Sequence, residues 1–276
     1  MSDARPPHQQ PPAPIVPRLG PPGLPVVVTA ALWSTAMLRG KLDPDDLTDR
    51  AAQAVEAVTP AAAHFLGTTV ATWRDVGEQT VLAVLPRPGR PGRFPVGPQA
   101  LGASMADDAV GVLLAPLLGE GVVLRLEPFG HALDGGWLLD VEPIACTPVP
   151  APRLEAVDLR GTQRALAEAT RRGLEVLEPL GDTPVWAGQR AGGPAVSTAG
   201  DLPPGIEPEV LDLLERAAVV ATLTTEGRDT HAVHGEATRA RHEAMARLHH
   251  AALDALEEGT LVAGRGLRRK ASGGPR

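Results

Sequence analysis

The chain of 276 residues is poor in several of the groups that proteins use for chemistry. It has one cysteine, Cys146, which excludes an intramolecular disulfide framework and any cysteine-based zinc or iron–sulfur cage. It has no tyrosine, and aromatic residues make up only 3%, which removes the usual stacking platforms for single-stranded nucleic acid. Lysine is nearly missing as well: of 26 basic residues only Lys41 and Lys270 are lysines, against 33 acidic ones, for a net charge of −7. An acidic balance argues against general nucleic-acid binding, since neutralising phosphates needs a basic surface. Long apolar runs are absent too. The longest covers residues 26–38, well short of the roughly 20 residues that a membrane span needs, and residues 1–25 contain no apolar core of a secretory signal. These absences point to a soluble cytoplasmic protein that binds neither nucleic acid nor membrane.

What the chain has in abundance is glycine and proline, 30 and 29 residues. Nine of the prolines fall within residues 1–25, a tract that favours polyproline II and cannot build a hydrogen-bonded ladder, so it reads as a disordered arm. Residues 26–38 read as a helix ended by Arg39-Gly40. Asp43 then offers a cap, Pro44 a first turn and Asp45 and Asp46 charge for the dipole end. Leu47, Ala51, Ala54, Val55 and Val58 continue as one buried helical stripe. Beyond it, 63–66 reads as a brief strand, 69–76 as a short helix and 80–85 as a second strand, a βαβ-like unit. A Pro/Gly-dense loop spans 86–98, a helix is expected at 99–108, and 110–114, 122–127 and 137–144 read as three further strands. After Pro148, Pro150 and Pro152 the pattern turns helical. Leu159, Leu166, Thr170 and Leu177 mark one helix, Ile206, Val210, Leu213, Leu214, Ala217 and Ala221 a second, and Val233 through Ala255 a third that ends near Gly259.

The expected fold is therefore α/β or α+β: a small mixed sheet with flanking helices, followed by a helical C-terminal region. Its divisions are a Pro-rich arm at 1–25, an α/β domain at 26–147, a helical region at 148–262 with a Gly/Pro linker near 181–204, and a basic disordered tail at 263–276 carrying Arg265, Arg268, Arg269 and Lys270.

The run Leu32-Trp33-Ser34-Thr35-Ala36-Met37-Leu38-Arg39-Gly40, followed by Asp43-Pro44-Asp45-Asp46, resembles the opening of an uncharacterised actinobacterial family. Leu85-Pro86-Arg87-Pro88-Gly89 is similar to that family's strand running into a Pro-x-Pro-Gly loop, and Leu202-Pro203-Pro204-Gly205, ahead of the leucine-rich helix at 210–214, looks like a further family feature. The resemblance covers residues 28–262. Members often carry an acidic residue just after that Pro-Gly, where Arg90 stands in this chain. The resemblance supports the architecture and implies no activity.

Arg87, Arg90 and Arg93 form the foremost candidate site. They recur every third residue in the loop that leaves the second strand of the βαβ-like unit, and three residues per turn of polyproline II would put all three on one side. Guanidinium forks suit carboxylate or phosphate, so the loop would take a small anionic ligand or an acidic partner surface. Its prolines remove the amide donors of a phosphate-binding nest, and the chain has no G-x-x-x-x-G-K-[ST] or G-x-G-x-x-G pattern. Asp107 and Asp108, just before a strand, are the alternative candidates for a general base. Asp140 and Glu142 face Arg125 and Glu127 across a hairpin and fit a solvated sheet face with cross-strand charge pairing.

The late histidines, His231, His234, His242, His249 and His250, lie too far apart along a helix to share one metal, and read as exposed polar positions. None of the five serines stands in G-x-S-x-G, Cys146 reads as an inert thiol, and Trp33, Trp73, Trp137 and Trp186 as core anchors. No metal and no cofactor is implied. The leading expectation is a non-catalytic protein that binds or regulates a partner. The alternative is an enzyme acting on a small anionic substrate held by Arg87, Arg90 and Arg93, with Asp107 or Asp108 as base.

Overall fold

Residues 26–38 carry no charge and, besides three hydroxyls at Thr29, Ser34 and Thr35, are apolar on every side, and a helix with no charged face has to be enclosed by the rest of the chain. In the computed structural model, helix α1, Val26–Leu38, is buried along all 13 residues. The structure describes residues 23–87, 90, 92–130, 135–178, 202–229 and 235–267, of which 226–229 and 235–238 by their backbone alone. The Pro-rich arm up to residue 22, most of the 181–204 linker with Trp186 and Ser197, Asp134, His231, His234 and residues 268–276 lie outside them. Helix α1 closes with Gly40 at φ +69°, the amide of Lys41 bonding the carbonyl of Ala36 and that of Gly40 the carbonyl of Met37. This is the paired closure that a left-handed glycine makes possible.

Helix α2, Pro44–Ala51, starts as the sequence suggests, with the Asp43 carboxylate accepting from the Asp45 amide at 3.1 Å. It stops at Ala51, so Val55 and Val58 are not on its stripe. The chain instead forms a two-residue strand β1, Ala57–Val58, parallel to the later strand over Gly136–Ala145, whose carbonyls at Trp137 and Leu139 take the amides of Glu56 and Thr59. Residues 63–66 are helical, not a strand. Thr59 caps helix α3, Pro60–His64, by accepting from Ala62, a π-helical turn follows at Phe65–Thr69, and helix α4 covers Val70–Asp75. Phe65, Leu66, Val70 and Trp73 are buried on one side, and Phe65 meets Trp73 edge-on at 5.3 Å. A four-residue apolar run carries no period of its own, and here the cap decides.

Strand β2, Leu82–Val84, pairs antiparallel with β3, Ala109–Ala115, so the βαβ-like unit does not form. Helix α5 occupies Pro98–Ala103, shorter than the 99–108 expected. Strands β3, β4 (Glu120–Phe129) and β5 (Gly136–Ala145) run as an antiparallel meander where the alternation placed them. The five-stranded sheet has the order β1-β5-β4-β3-β2. One face, with Ala83, Leu113, Val122, Leu124, Leu139 and Val141, packs on α1 and its neighbours. The other, with Leu82, Val84, Val112, Leu114 and Val123, is covered by Phe94, Val96, Ala100 and Val149.

After α6, Ala151–Glu155, come α7, Leu159–Leu177, α8, Pro208–Asp229, and α9, Gly235–Gly266. The fold is thus a mixed sheet with flanking helices followed by a helical region. Helix α9 continues through Gly259, where a Cβ would stand 2.9 Å from Leu214 Cδ2, so this glycine serves close helix packing rather than a stop. Its last turns enter both cores: Leu253, Leu256, Ala263 and Leu267 join the first and Leu261 the second. Arg265 lies on this helix, not in a tail, and its guanidinium bonds the carbonyls of Leu154 and Val157 at the end of α6. No described helix is long and apolar enough to cross a membrane.

A chain ending at residue 252 loses these five core side chains. We expect it to show no cooperative thermal transition by circular dichroism, because several buried aliphatic deletions of about 2–5 kcal/mol each exceed the stability of an ordinary domain. A transition as sharp as that of the full chain would contradict the packing described.

Candidate functional site

The three loop arginines do lie together, and what they meet is the protein's own acid. Asp254, Glu257 and Glu258 are spaced i, i+3, i+4 on α9, which puts them on one helix face. Arg87 is 5% exposed and pairs with both Asp254 and Glu257, the latter at 3.2 Å. It also donates to the carbonyls of Leu85 at 2.7 Å and His250 at 3.2 Å. Arg90 reaches Asp254 at 3.1 Å and Arg93 reaches Glu258 at 2.5 Å, each with 48% of its side chain exposed. The threefold recurrence of arginine in the loop is answered by the three- and four-residue recurrence of acid in the helix.

Glu257 is the innermost member, with no exposed surface. Its Oε1 accepts from the Leu85 amide at 2.8 Å as well as from Arg87, and its Oε2 from the Arg93 amide at 2.5 Å. Burial pushes its carboxyl up to about 7, against the opposing pull of Arg87 and the two amides, while Asp254 adds to the rise. Gly92 is needed beside it: its φ is +99°, and a Cβ there would stand 2.9 Å from Val84 and 3.0 Å from Glu257 Oε1. Glu258 extends the joint to α7 by accepting from the Thr162 hydroxyl at 2.8 Å, and Arg153 of α6 donates to the Arg93 carbonyl at 2.8 Å. Side chains from the post-β2 loop, α6, α7 and α9 thus converge on one polar joint, buried at Arg87 and Glu257 and open to water at Arg90, Arg93 and Arg153.

Asp108 is turned elsewhere. Its carboxylate bonds Arg125 of β4, which also holds Glu142 of β5, while Asp140 accepts from Thr59 at 2.6 Å. Of the cross-strand pairing expected from the hairpin, Arg125 stands opposite Asp140 in register and reaches Glu142 diagonally, whereas Glu127 stands opposite Leu138. Asp107 is exposed. Because β2 and β3 are antiparallel, Arg87 and Asp107-Asp108 leave the same end of the sheet, yet each of Arg87 and Asp108 is engaged by a different partner. Cys146 is half-buried, and burial pushes its thiol up to about 11. His249 Nδ1 lies 3.0 Å from the Thr224 hydroxyl. Among the described residues no three His, Cys, Asp or Glu side chains are grouped so as to hold a metal ion. A cavity of about 420 Å³ opens between α7 and α9, lined by Ala169, Arg172, Gly173, Val176, Ala244 and Arg247 among others, and includes none of the loop arginines.

The acidic triplet on α9 was not among the residues singled out from sequence. The signal that could have found it is a set of three carboxylates inside an otherwise Ala/Leu-rich helix, where solvent exposure is not their expected lot.

Residues 27–152 match the family model described as Rv1486c-like protein, N-terminal domain, an uncharacterised family. The match takes in the whole sheet with α1 to α5 and stops within α6, so the acidic triplet that completes the joint lies outside it. No curated protein and no solved structure matches the chain.

Removing a guanidinium that serves two enclosed carboxylates leaves uncompensated charge. Arg87→Met is therefore expected to lower stability by about 3–5 kcal/mol. Arg90→Met, at a half-exposed pair screened by water, should cost under about 1 kcal/mol. Urea denaturation of both variants checks this, and equal losses would contradict the burial order within the joint.

Proposed function

We propose that this protein is a non-catalytic cytoplasmic protein that binds or regulates a protein partner. The observation that carries this reading is the fate of the arginines: the groups best suited to grip an anionic substrate spend their charge on Asp254, Glu257 and Glu258 of the same chain. A substrate carboxylate or phosphate would have to displace an internal acid from a site in which Arg87 is 5% exposed. What the loop offers to the outside is its rim, where Arg90 and Arg93 each keep 48% of their side-chain surface. Half-exposed arginines with apolar stems are common anchors at protein interfaces, and a net charge of −7 makes a nucleic-acid partner a poor match. A single cysteine suits a reducing compartment.

One feature favours the alternative, an enzyme for a small anionic substrate: the antiparallel β2–β3 pair brings the arginine loop and Asp107-Asp108 to the same end of the sheet. In that reading Arg87, Arg90 and Arg93 bind the substrate and Asp107 or Asp108 removes a proton.

The full chain purified from its native cell, followed by mass spectrometry of retained proteins and metabolites, separates the two. We expect a protein retained in near-stoichiometric amount, reduced at least tenfold by Arg90→Glu, which reverses a rim charge without touching Glu257. A retained metabolite that the protein converts, with conversion abolished by Asp108→Asn, would overturn the binding reading in favour of the enzyme.

A further inference from the structure

The joint is balanced in its interior and unbalanced at its surface. Its acids lie beneath: Glu257 has no exposed surface, and the side chains of Asp254 and Glu258 are 17% and 11% exposed. Its guanidiniums lie above them, Arg90 on Asp254 and Arg93 on Glu258, with only Arg87 enclosed. A fourth arginine joins without bringing an acid. Arg153 of α6 is exposed, and its guanidinium bonds the Arg93 carbonyl, with no carboxylate among the described residues to neutralise it. Arg265 adds a fifth, spent on the carbonyls of Leu154 and Val157. The acids nearest in the chain do not offset these. Glu155 stands two residues from Arg153, off its side of the helix, and makes no ion pair among the described residues. Asp158 accepts from the Gly161 amide as the cap of α7.

We propose that Arg90, Arg93 and Arg153 form a docking face for an acidic segment of a protein partner, one whose Asp or Glu carboxylates recur about one helical turn apart. The inference rests on the partner-binding reading above and adds the chemistry of the partner. A guanidinium is a planar fork with five N–H groups, and these forks are only partly used. Among the described residues Arg90 meets Asp254 through Nη2, Arg153 meets the Arg93 carbonyl through Nη2, and Arg93 meets Glu258 through Nε and Nη2. The remaining N–H groups are left for an acceptor from outside. The internal bond holds each fork in place beforehand, so less side-chain freedom is lost when a carboxylate arrives. Asp254 and Glu258 stand four residues apart, about 6 Å along α9, and set the spacing of the arginines above them. Arg87, 5% exposed, takes no part. Phosphate suits the same fork, but a nucleic acid brings a continuous line of negative charge against a chain of net charge −7. An acidic segment needs only the local contacts.

The probe is an alanine-rich peptide of about 15 residues with glutamate at every fourth position, titrated into the full chain labelled with nitrogen-15. It should shift the side-chain Nε–H signals of Arg90 and Arg153 and leave that of the enclosed Arg87 in place. With a fluorescent form of the peptide, Arg153→Gln should weaken binding by about fivefold or more. Arg171→Gln, at an exposed arginine of α7 paired with Glu168 and Glu175, should weaken it by less than about twofold. Both positions are exposed, so both variants should keep the urea midpoint of the parent. The same peptide with glutamine in place of glutamate should not bind. Equal weakening by the two variants, arginine signals that do not move, or tighter binding of a single-stranded oligonucleotide of the same charge would overturn the docking face. The partner-binding reading fails separately, when the native cell yields no retained protein that Arg90→Glu releases.

Discussion

Arg87 stands between two carboxylates of a helix that begins almost 150 residues later in the chain, and that enclosed contact dictates how the two halves of the molecule are joined. An unpaired buried charge costs several kcal/mol, so once α9 brings Glu257 against the end of β2, a guanidinium has to be there. The rest follows from supplying that requirement. The loop after β2 must turn back so that Arg87, the Leu85 amide and the Arg93 amide all reach one carboxylate, and Gly92 gives it the backbone freedom and space to do so. Apolar packing through Leu256, Leu261 and Leu267 joins the same two halves that the ion pairs bridge.

This changes what an arginine-rich loop signifies. Guanidinium groups at the end of a strand have the chemistry of an anion site, but chemistry alone does not say whether the anion comes from outside. In this protein α9 supplies carboxylates to all three arginines, and what stays in contact with water is about half of the Arg90 and Arg93 side chains. The family likeness, confined to residues 27–152, covers the arginines and omits their partners, so the joint can be described only from the full chain.

The parts of the fold legible in the sequence were those set by local pattern. The apolar run ended by Arg39-Gly40 marked helix α1, and alternation such as Val122, Leu124 and Leu126 against Val123, Arg125 and Glu127 placed β4 and its neighbours. Where two local rules competed, the reading failed: Val58 continued a helical stripe on paper but lies in a strand that satisfies the carbonyls at Trp137 and Leu139, and Phe65-Leu66 looked like a strand until the Thr59 cap started a helix upstream. Gly259 resembled a helix stop because close packing on Leu214 leaves no trace in a single sequence. The candidate site shows the same limit. The arginines announced themselves by their spacing, but Arg87 and Glu257 are 170 residues apart, and a contact of that range is not written in any local pattern.

The most direct measurement of the account is a double-mutant cycle on Arg87 and Glu257, with Arg87→Met, Glu257→Leu and the pair compared by equilibrium urea denaturation. A coupling of about 2 kcal/mol or more, with the double variant more stable than Arg87→Met alone, is the predicted result, because the second change removes the carboxylate stranded by the first. Additive losses with no coupling would mean that the two side chains do not share a buried contact, and the joint described here would not exist.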